Sequence, residues 1–353
     1  MIFTYAARRA PKPPVFGCAL ALLGLFASAA ADAAPCPADA PRLVISHAGS
    51  LTSSFVPVEA EFTRRTGVCV DDLSGGSVKL ARDLGKDRGG IDIFASADAE
   101  VNERMLKPAG IVNYTIRFAE GRMVLAYTSA SKGAATIAAA AAPGTIALAS
   151  PDWAMQLTRP GVLVGGSHPF LDPGGYRADM VFQLAQLQTQ TPDLYNELLS
   201  HFTTTRPGDT LGKNYDYQFT YEHSARAAQA QDRTGSYRYA RLPDAVDLGA
   251  AGQGARYATA GVTMPGLDGP VSAPLRIPAT RVTWGLSIVD GAPNRQYAEQ
   301  FLQLFFSPEG VVLRAAGPTP IDPPLVDGAD IGQLPASLRK IVHAAPGNGT
   351  PRP

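Results

Sequence analysis

Charge is scarce in this chain, and it cancels. The 353 residues hold 31 Lys and Arg against 31 Asp and Glu, and charged residues make up 18%. An average domain carries roughly 25%. There is no basic excess to neutralise a nucleic-acid backbone or grip an anionic membrane surface. Histidine (5) and cysteine (3) are few, and none falls in zinc-ligand spacing. No Ser-His-Asp order and no nucleotide-binding loop is present. Beyond the N-terminus no apolar run approaches the roughly 20 residues of a membrane span. A neutral chain can still bind an anion, provided it uses oriented backbone dipoles rather than Lys and Arg.

What is present begins with an export signal. Arg8, Arg9 and Lys12 precede the apolar run 15–26, and Ala31-Asp32-Ala33 fits an A-x-A cleavage site. Residues 1–33 therefore read as a signal peptide, and an exported, soluble protein is expected. Cys18 lies inside the signal, which leaves Cys36 and Cys69. In an oxidising compartment an even pair favours a disulfide. Cys36 lies just before the first strand and Cys69 in a neighbouring one. A bridge there would staple the N-terminus to the sheet and favour folding by about 3 kcal/mol. About 320 mature residues exceed one comfortable core, so two lobes are expected.

The recurring pattern is strand, Gly/Ser turn, helix. Leu43-Val44-Ile45-Ser46 leads into His47-Ala48-Gly49-Ser50-Leu51. Val68-Cys69-Val70 leads to Ser74-Gly75-Gly76-Ser77, and Ile91-Asp92-Ile93-Phe94 to Ala97-Asp98. This predicts parallel strands with right-handed crossovers. Their carboxyl-end turns gather on one edge, where ligands bind. Ser50 and Ser77 would meet there, as helix caps or as ligand contacts. Leu51, Phe55, Val58 and Phe62 recur at helical spacing, although Pro57 requires either a start near Ser54 or a kink.

Leu171-Asp172-Pro173-Gly174-Gly175-Tyr176-Arg177 has the same design. It follows the strand-like run 161–166 and precedes the helix-like run 178–187. Free N–H groups at that helix start would point at the turn, making an anion site. Further on, the buried strand 216–221 ends in a polar turn holding Glu222, His223 and Ser224. Tyr239 lies in a short strand before Leu242-Pro243. The apolar strands 122–127 and 282–289 are placed to leave and rejoin the first lobe, as in a hinged two-lobe binder.

Four segments occur in one order: His47-Ala48-Gly49-Ser50-Leu51, Gly76-Ser77-Val78-Lys79, Asp172-Pro173-Gly174-Gly175-Tyr176-Arg177, and Trp284-Gly285 through Ala292-Pro293-Asn294-Arg295. Together they resemble the periplasmic molybdate/tungstate-binding proteins of ABC importers, in the archaeal-type branch, from about Leu43 to Lys340. The resemblance implies an α/β, bilobal type II periplasmic-binding fold closing over one tetrahedral oxyanion. It implies lobe 1 at 41–124 plus 283–345, lobe 2 at 125–282, and a disordered tail at 346–353. The implied oxyanion contacts are Gly49, Ser50, Ser77, Asp172, Pro173, Gly174, Glu222 and Tyr239. Asp172 and Glu222 would add oxygen ligands to the hard molybdenum or tungsten centre, which sulfate cannot accept. The implied partners are a membrane permease and its ATPase, with no cofactor, no nucleic acid and a monomeric receptor.

Other readings stay open at this level. The ligand could be sulfate, phosphate (with Arg177 as its arginine) or ferric iron (with Tyr217, Tyr221 and Tyr239). A remote alternative is a hydrolase using Asp172 and Glu222 as an acid/base pair. A sensor lobe is disfavoured, since no output domain is fused.

Overall fold

The apolar strands sort into two sheets in the computed structural model, which describes residues 36–345. The expected signal peptide and C-terminal tail lie outside the described residues. The larger sheet has seven strands. In spatial order they are His343–Ala344, Thr319–Val326, Ile116–Glu120, Thr283–Ile288, Ile93–Ser96, Arg42–Ala48 and Cys69–Gly75. The second has five: Phe202–Thr204, Val164–Gly166, Tyr217–Tyr221, Met123–Thr128 and Tyr237–Arg241. A hairpin, Gly261–Pro265 with Pro274–Pro278, stands apart.

The three strand–turn–helix units at the front of the chain pair in parallel, Arg42–Ala48 lying between Cys69–Gly75 and Ile93–Ser96. The parallel pairing of these units does not extend to the crossover strands. Thr283–Ile288 runs antiparallel to both its neighbours, and Met123–Thr128 runs antiparallel to both of its own. These strands enter a sheet from the other half of the molecule, so the crossover rule for helix-linked strands does not fix their direction. The first crossing also precedes residue 124, because Met123 already pairs with Tyr221. The two crossings touch where the Gly121 N–H donates to the Val282 carbonyl at 3.1 Å.

Helices flank the sheets. Leu51, Phe55, Val58 and Phe62 are buried, as their spacing predicts. A short turn, Gly49–Leu51, precedes the helix Thr52–Thr66, and Pro57 sits inside that helix. The helix thus begins before Ser54 and continues through Pro57, which lacks the N–H that would have reached back to Ser53. The chain is closed at the front by Cys36–Cys69, an S–S bond of 2.08 Å.

One helix ties the two sheets together. The helix Pro173–Thr189 follows a strand of the five-stranded sheet, yet its first turn reaches the larger sheet. Tyr176 Oη donates to Asp98 Oδ2 at 2.7 Å. Arg177 lies 3.2 Å from Asp98 Oδ1 and donates to the Ala97 carbonyl at 2.7 Å and Tyr221 Oη at 3.1 Å. Arg177 is 1% exposed and Asp98 3%. Breaking such a pair leaves a buried charge uncompensated, at a cost of about 3–5 kcal/mol. We predict that Arg177→Met lowers unfolding free energy by about that amount in urea titrations, far more than Arg64→Met on the exposed surface.

A candidate anion site at converging helix starts

Three turns drawn from both halves of the chain wall one cavity of about 350 Å³. From the larger sheet come Gly49 and Ser50, after Arg42–Ala48, and Gly75, at the end of Cys69–Gly75. From the second half come Ser167, Asp172, Gly174, the strand residues Gln218 to Tyr221, and Ser224. The helices Pro173–Thr189 and Glu222–Gln231, and the turn leading into Thr52–Thr66, all begin at this cavity. Each helix start carries a positive partial charge, although at Pro173–Thr189 the Gly174 and Gly175 N–H groups are bonded to Asp172. No Lys or Arg is among the described residues lining it. Hydroxyls and the positive ends of helices are the features with which a neutral wall could hold a small anion.

Local hydrogen bonds orient its donors. Trp284 Nε1 donates to Ser50 Oγ at 3.2 Å, which leaves the Ser50 proton free to turn toward the cavity. The Ser50 carbonyl is 2.9 Å from His223 Nε2. Burial lowers the His223 pKa to about 4, with Arg226 adding to the effect and the Ser50 carbonyl opposing it. The ring is therefore neutral near pH 7, with Nε2–H donating. Asp172 caps its helix, accepting the Gly174 N–H at 2.7 Å. Burial raises its pKa, while the Gly174 N–H and the Ser167 hydroxyl oppose the rise.

Backbone packing fixes the turn's position. A Cβ on Gly76 would come within 2.6 Å of the Leu171 carbonyl oxygen, and one on Gly175 within 2.3 Å of the Ser167 carbonyl oxygen. The Lys79 N–H meets the Leu171 carbonyl at 3.1 Å, so the Asp172 turn rests on the start of the helix Ser77–Lys86. On one side the cavity adjoins a groove of about 530 Å³ that shares Gly49, Ser50 and Ser224 and is floored by Val56, Pro57 and Ala227.

The residues expected from the sequence divide. Gly49, Ser50, Asp172 and Gly174 line the cavity, and Pro173 is buried at the first turn of its helix. Ser77 is fully buried and is not among the lining residues, and its hydroxyl accepts the Ala97 N–H at 3.0 Å. Glu222 and Tyr239 are not among the lining residues. Glu222 opens its helix with its carboxylate turned away, 2.6 Å from Arg241 Nε and 3.6 Å from Arg122 Nε. It lines a separate cavity of about 250 Å³ with Arg122, Arg226, Arg241 and Arg281. Tyr239 pairs with Ala126 on the outer strand, and burial followed by the Glu222 charge raises its pKa. The wall position falls instead to Thr220 and Gln218, which alternate with the buried Tyr217, Phe219 and Tyr221. Ser224 and Ser167 were legible as polar residues at a helix start and after a Gly-Gly pair. Thr220 and Gln218 carried no signal beyond strand alternation.

Two alternatives lose their geometry. Arg177, the arginine available to a phosphate, is committed to Asp98, Ala97 and Tyr221. Of the tyrosines available to iron, Tyr217 donates to the Lys132 carbonyl at 2.6 Å and Tyr221 accepts from Arg177. Burial pushes the pKa of both phenols well up.

Residues 43–316 match the profile of the bacterial extracellular solute-binding proteins. The chain belongs to that family. An uncharacterized solute-binding protein of Petrotoga mobilis is 30% identical over 312 residues, covering 84% of this chain and 89% of the relative. The molybdate/tungstate-binding protein WtpA of Pyrococcus abyssi is 28% identical, covering 86% and 90%. Among solved structures, the sulfate-binding protein SubI of Mycobacterium tuberculosis H37Rv aligns with a TM-score of 0.53 at 15% identity, over 86% of this chain and 94% of that one. That likeness speaks for the fold alone, which is the bilobal type II periplasmic-binding fold. No helix among the described residues is long and apolar enough to cross a membrane.

The buried neutral His223 has a consequence for acid stability. Its pKa is about 4 folded and near 6.5 unfolded. Between those values the unfolded chain binds the extra proton, so stability is full above about 6.5 and falls as pH drops toward about 4. The loss attributable to His223 is about 3 kcal/mol. We expect His223→Gln, which can still donate to Ser50, to flatten the fall of unfolding free energy across that window.

Proposed function

We propose that this solute-binding protein captures molybdate or tungstate in the periplasm and delivers it to an ABC importer, docking on the permease that the ATPase drives. The observation that carries the reading is the cavity itself. It gathers helix starts and hydroxyls from both halves of the chain and has no cationic side chain among its described lining residues. That construction suits a small, fully ionised oxyanion bound without proton exchange. WtpA relatives that align over most of this chain support the choice of oxyanion.

Within this reading, the Ser50 and Ser224 hydroxyls hold oxygens. Asp172 is the one carboxyl among the described lining residues. Its Oδ1 is engaged with Gly174, which leaves Oδ2 to approach a hard hexavalent metal centre. The site thus offers one carboxylate where the family resemblance implied two. The same fact weighs against a hydrolase, because Asp172 has no facing carboxylate to complete an acid/base pair. Binding and release, not catalysis, is the role we assign.

Calorimetric titration of ligand-free mature protein with molybdate, tungstate, sulfate and phosphate tests this directly. One-to-one binding of the first two, with sulfate and phosphate much weaker, is the expected result. Preference for sulfate or phosphate would discard the metal-centred argument. Ser50→Ala should weaken molybdate binding by about 1–3 kcal/mol, the cost of losing a buried hydrogen bond. Asp172→Ala should weaken it at least about tenfold and narrow the gap to sulfate, as expected for a group contacting only the expandable centre. Glu222→Gln should leave affinity within about threefold, since its charge is already answered outside the cavity.

A further inference from the structure

A second cluster of polar side chains lies on the other side of the Gly49-Ser50 turn, under the helix Thr52–Thr66. We propose that His47, Glu59 and Asp72 form a binding site for one divalent transition-metal cation, with zinc the best fit. The site is distinct from the anion cavity and does not depend on what that cavity binds.

The topology brings the three together. His47 is the penultimate residue of the strand Arg42–Ala48, and Asp72 lies on the neighbouring edge strand, where it pairs with Ile45. Glu59 projects onto them from the helix above. Their candidate ligand atoms, one imidazole nitrogen and two carboxylate oxygens, all lie within 4.8 Å of one another.

Hydrogen bonding shows what the cluster lacks. His47 Nδ1 lies 2.8 Å from the Ala48 carbonyl, so it carries the proton and donates. In the neutral ring that leaves Nε2 with a lone pair. Nε2 is buried, 2.7 Å from Asp72 Oδ1, and makes no hydrogen bond among the described residues. Glu59 Oε1 is likewise buried without a partner. His47 is fully buried and Glu59 is 7% exposed. With the ring neutral, three electron-pair donors face one another, an arrangement that costs free energy until a cation or a proton enters.

The surroundings suit a metal. A ligating histidine ordinarily donates its other ring N–H to a carbonyl, which fixes tautomer and orientation, and His47 does this. Stacking on Phe55, with ring centroids 4.9 Å apart, holds the imidazole plane. One nitrogen and two carboxylate oxygens match zinc's usual ligands, and a water would complete four-coordination. Calcium and magnesium prefer oxygen alone. Asp72 sits on the sheet edge with its side chain 27% exposed, which gives the ion a way in. A cation there would pin the end of the strand that carries Gly49 and Ser50.

The test is calorimetric titration with zinc at pH 7 of mature protein stripped with EDTA, alongside Glu59→Gln and Asp72→Asn. Both variants keep shape and hydrogen-bonding capacity, and thermal melts confirm that they fold. The expected result is one zinc per chain, a raised melting temperature with zinc, and at least about tenfold weaker binding in each variant. Cobalt substitution should give the visible absorption of a low-symmetry nitrogen–oxygen site in the parent and lose it in the variants. No zinc binding by the parent, or binding of equal affinity and stoichiometry in parent and variants, would overturn the proposal. The cluster would then be a His47–Asp72 ion pair held by a proton.

Discussion

The buried ion pair of Arg177 with Asp98 is the contact on which the arrangement of the molecule depends. Arg177 belongs to a helix of the second half, and Asp98 follows a strand of the first. Together with Tyr176 and Tyr221 they make a network in which each charge is answered. A charge in such a place tolerates few alternatives, because sliding one half past the other would strand it in an apolar setting. The pair therefore fixes register as well as proximity. Since Arg177 is only five residues beyond Asp172, fixing one places the other.

From that constraint follows the anion cavity. The Asp172 turn rests on the start of Ser77–Lys86, and the Ser50 turn is held by Trp284 and His223, residues from distant parts of the chain. Neither turn makes a site alone, because a lone helix start exposes its N–H groups to water. Brought together from both halves, they replace water around an anion with preorganised dipoles. That no Lys or Arg is among the described lining residues fits the chain's neutrality. Its arginines are used elsewhere, notably in the ion pairs around Glu222 and at the crossing between the sheets.

Glu222 shows how far local pattern carries. In the sequence it stands at a helix start after a buried strand, the right kind of place for a ligand. Its neighbours decide otherwise: Arg241, on the outer strand, and Arg122, just before Met123–Thr128, pair with the carboxylate. Ser77 begins a helix at the expected edge, but packing leaves it fully buried, with its hydroxyl accepting the Ala97 N–H. Ser224 and Thr220, by contrast, reach the cavity because strand alternation and helix phase point them there.

What the sequence determined by itself is what depends on neighbours along the chain. Hydrophobic spacing specified the strands and the buried face of Thr52–Thr66, and Gly, Ser and Asp at the turns specified where helices begin. Those signals are local, because turn chemistry and helix capping involve residues within about four positions. What the tertiary structure alone decided is which polar groups meet. The directions of the crossover strands, the exclusion of Glu222 and the burial of Arg177 all depend on partners many residues away. So does the juxtaposition of His47, Glu59 and Asp72. Side-chain charges choose among such partners only after the sheets have packed, when desolvation makes an unanswered charge too costly to keep.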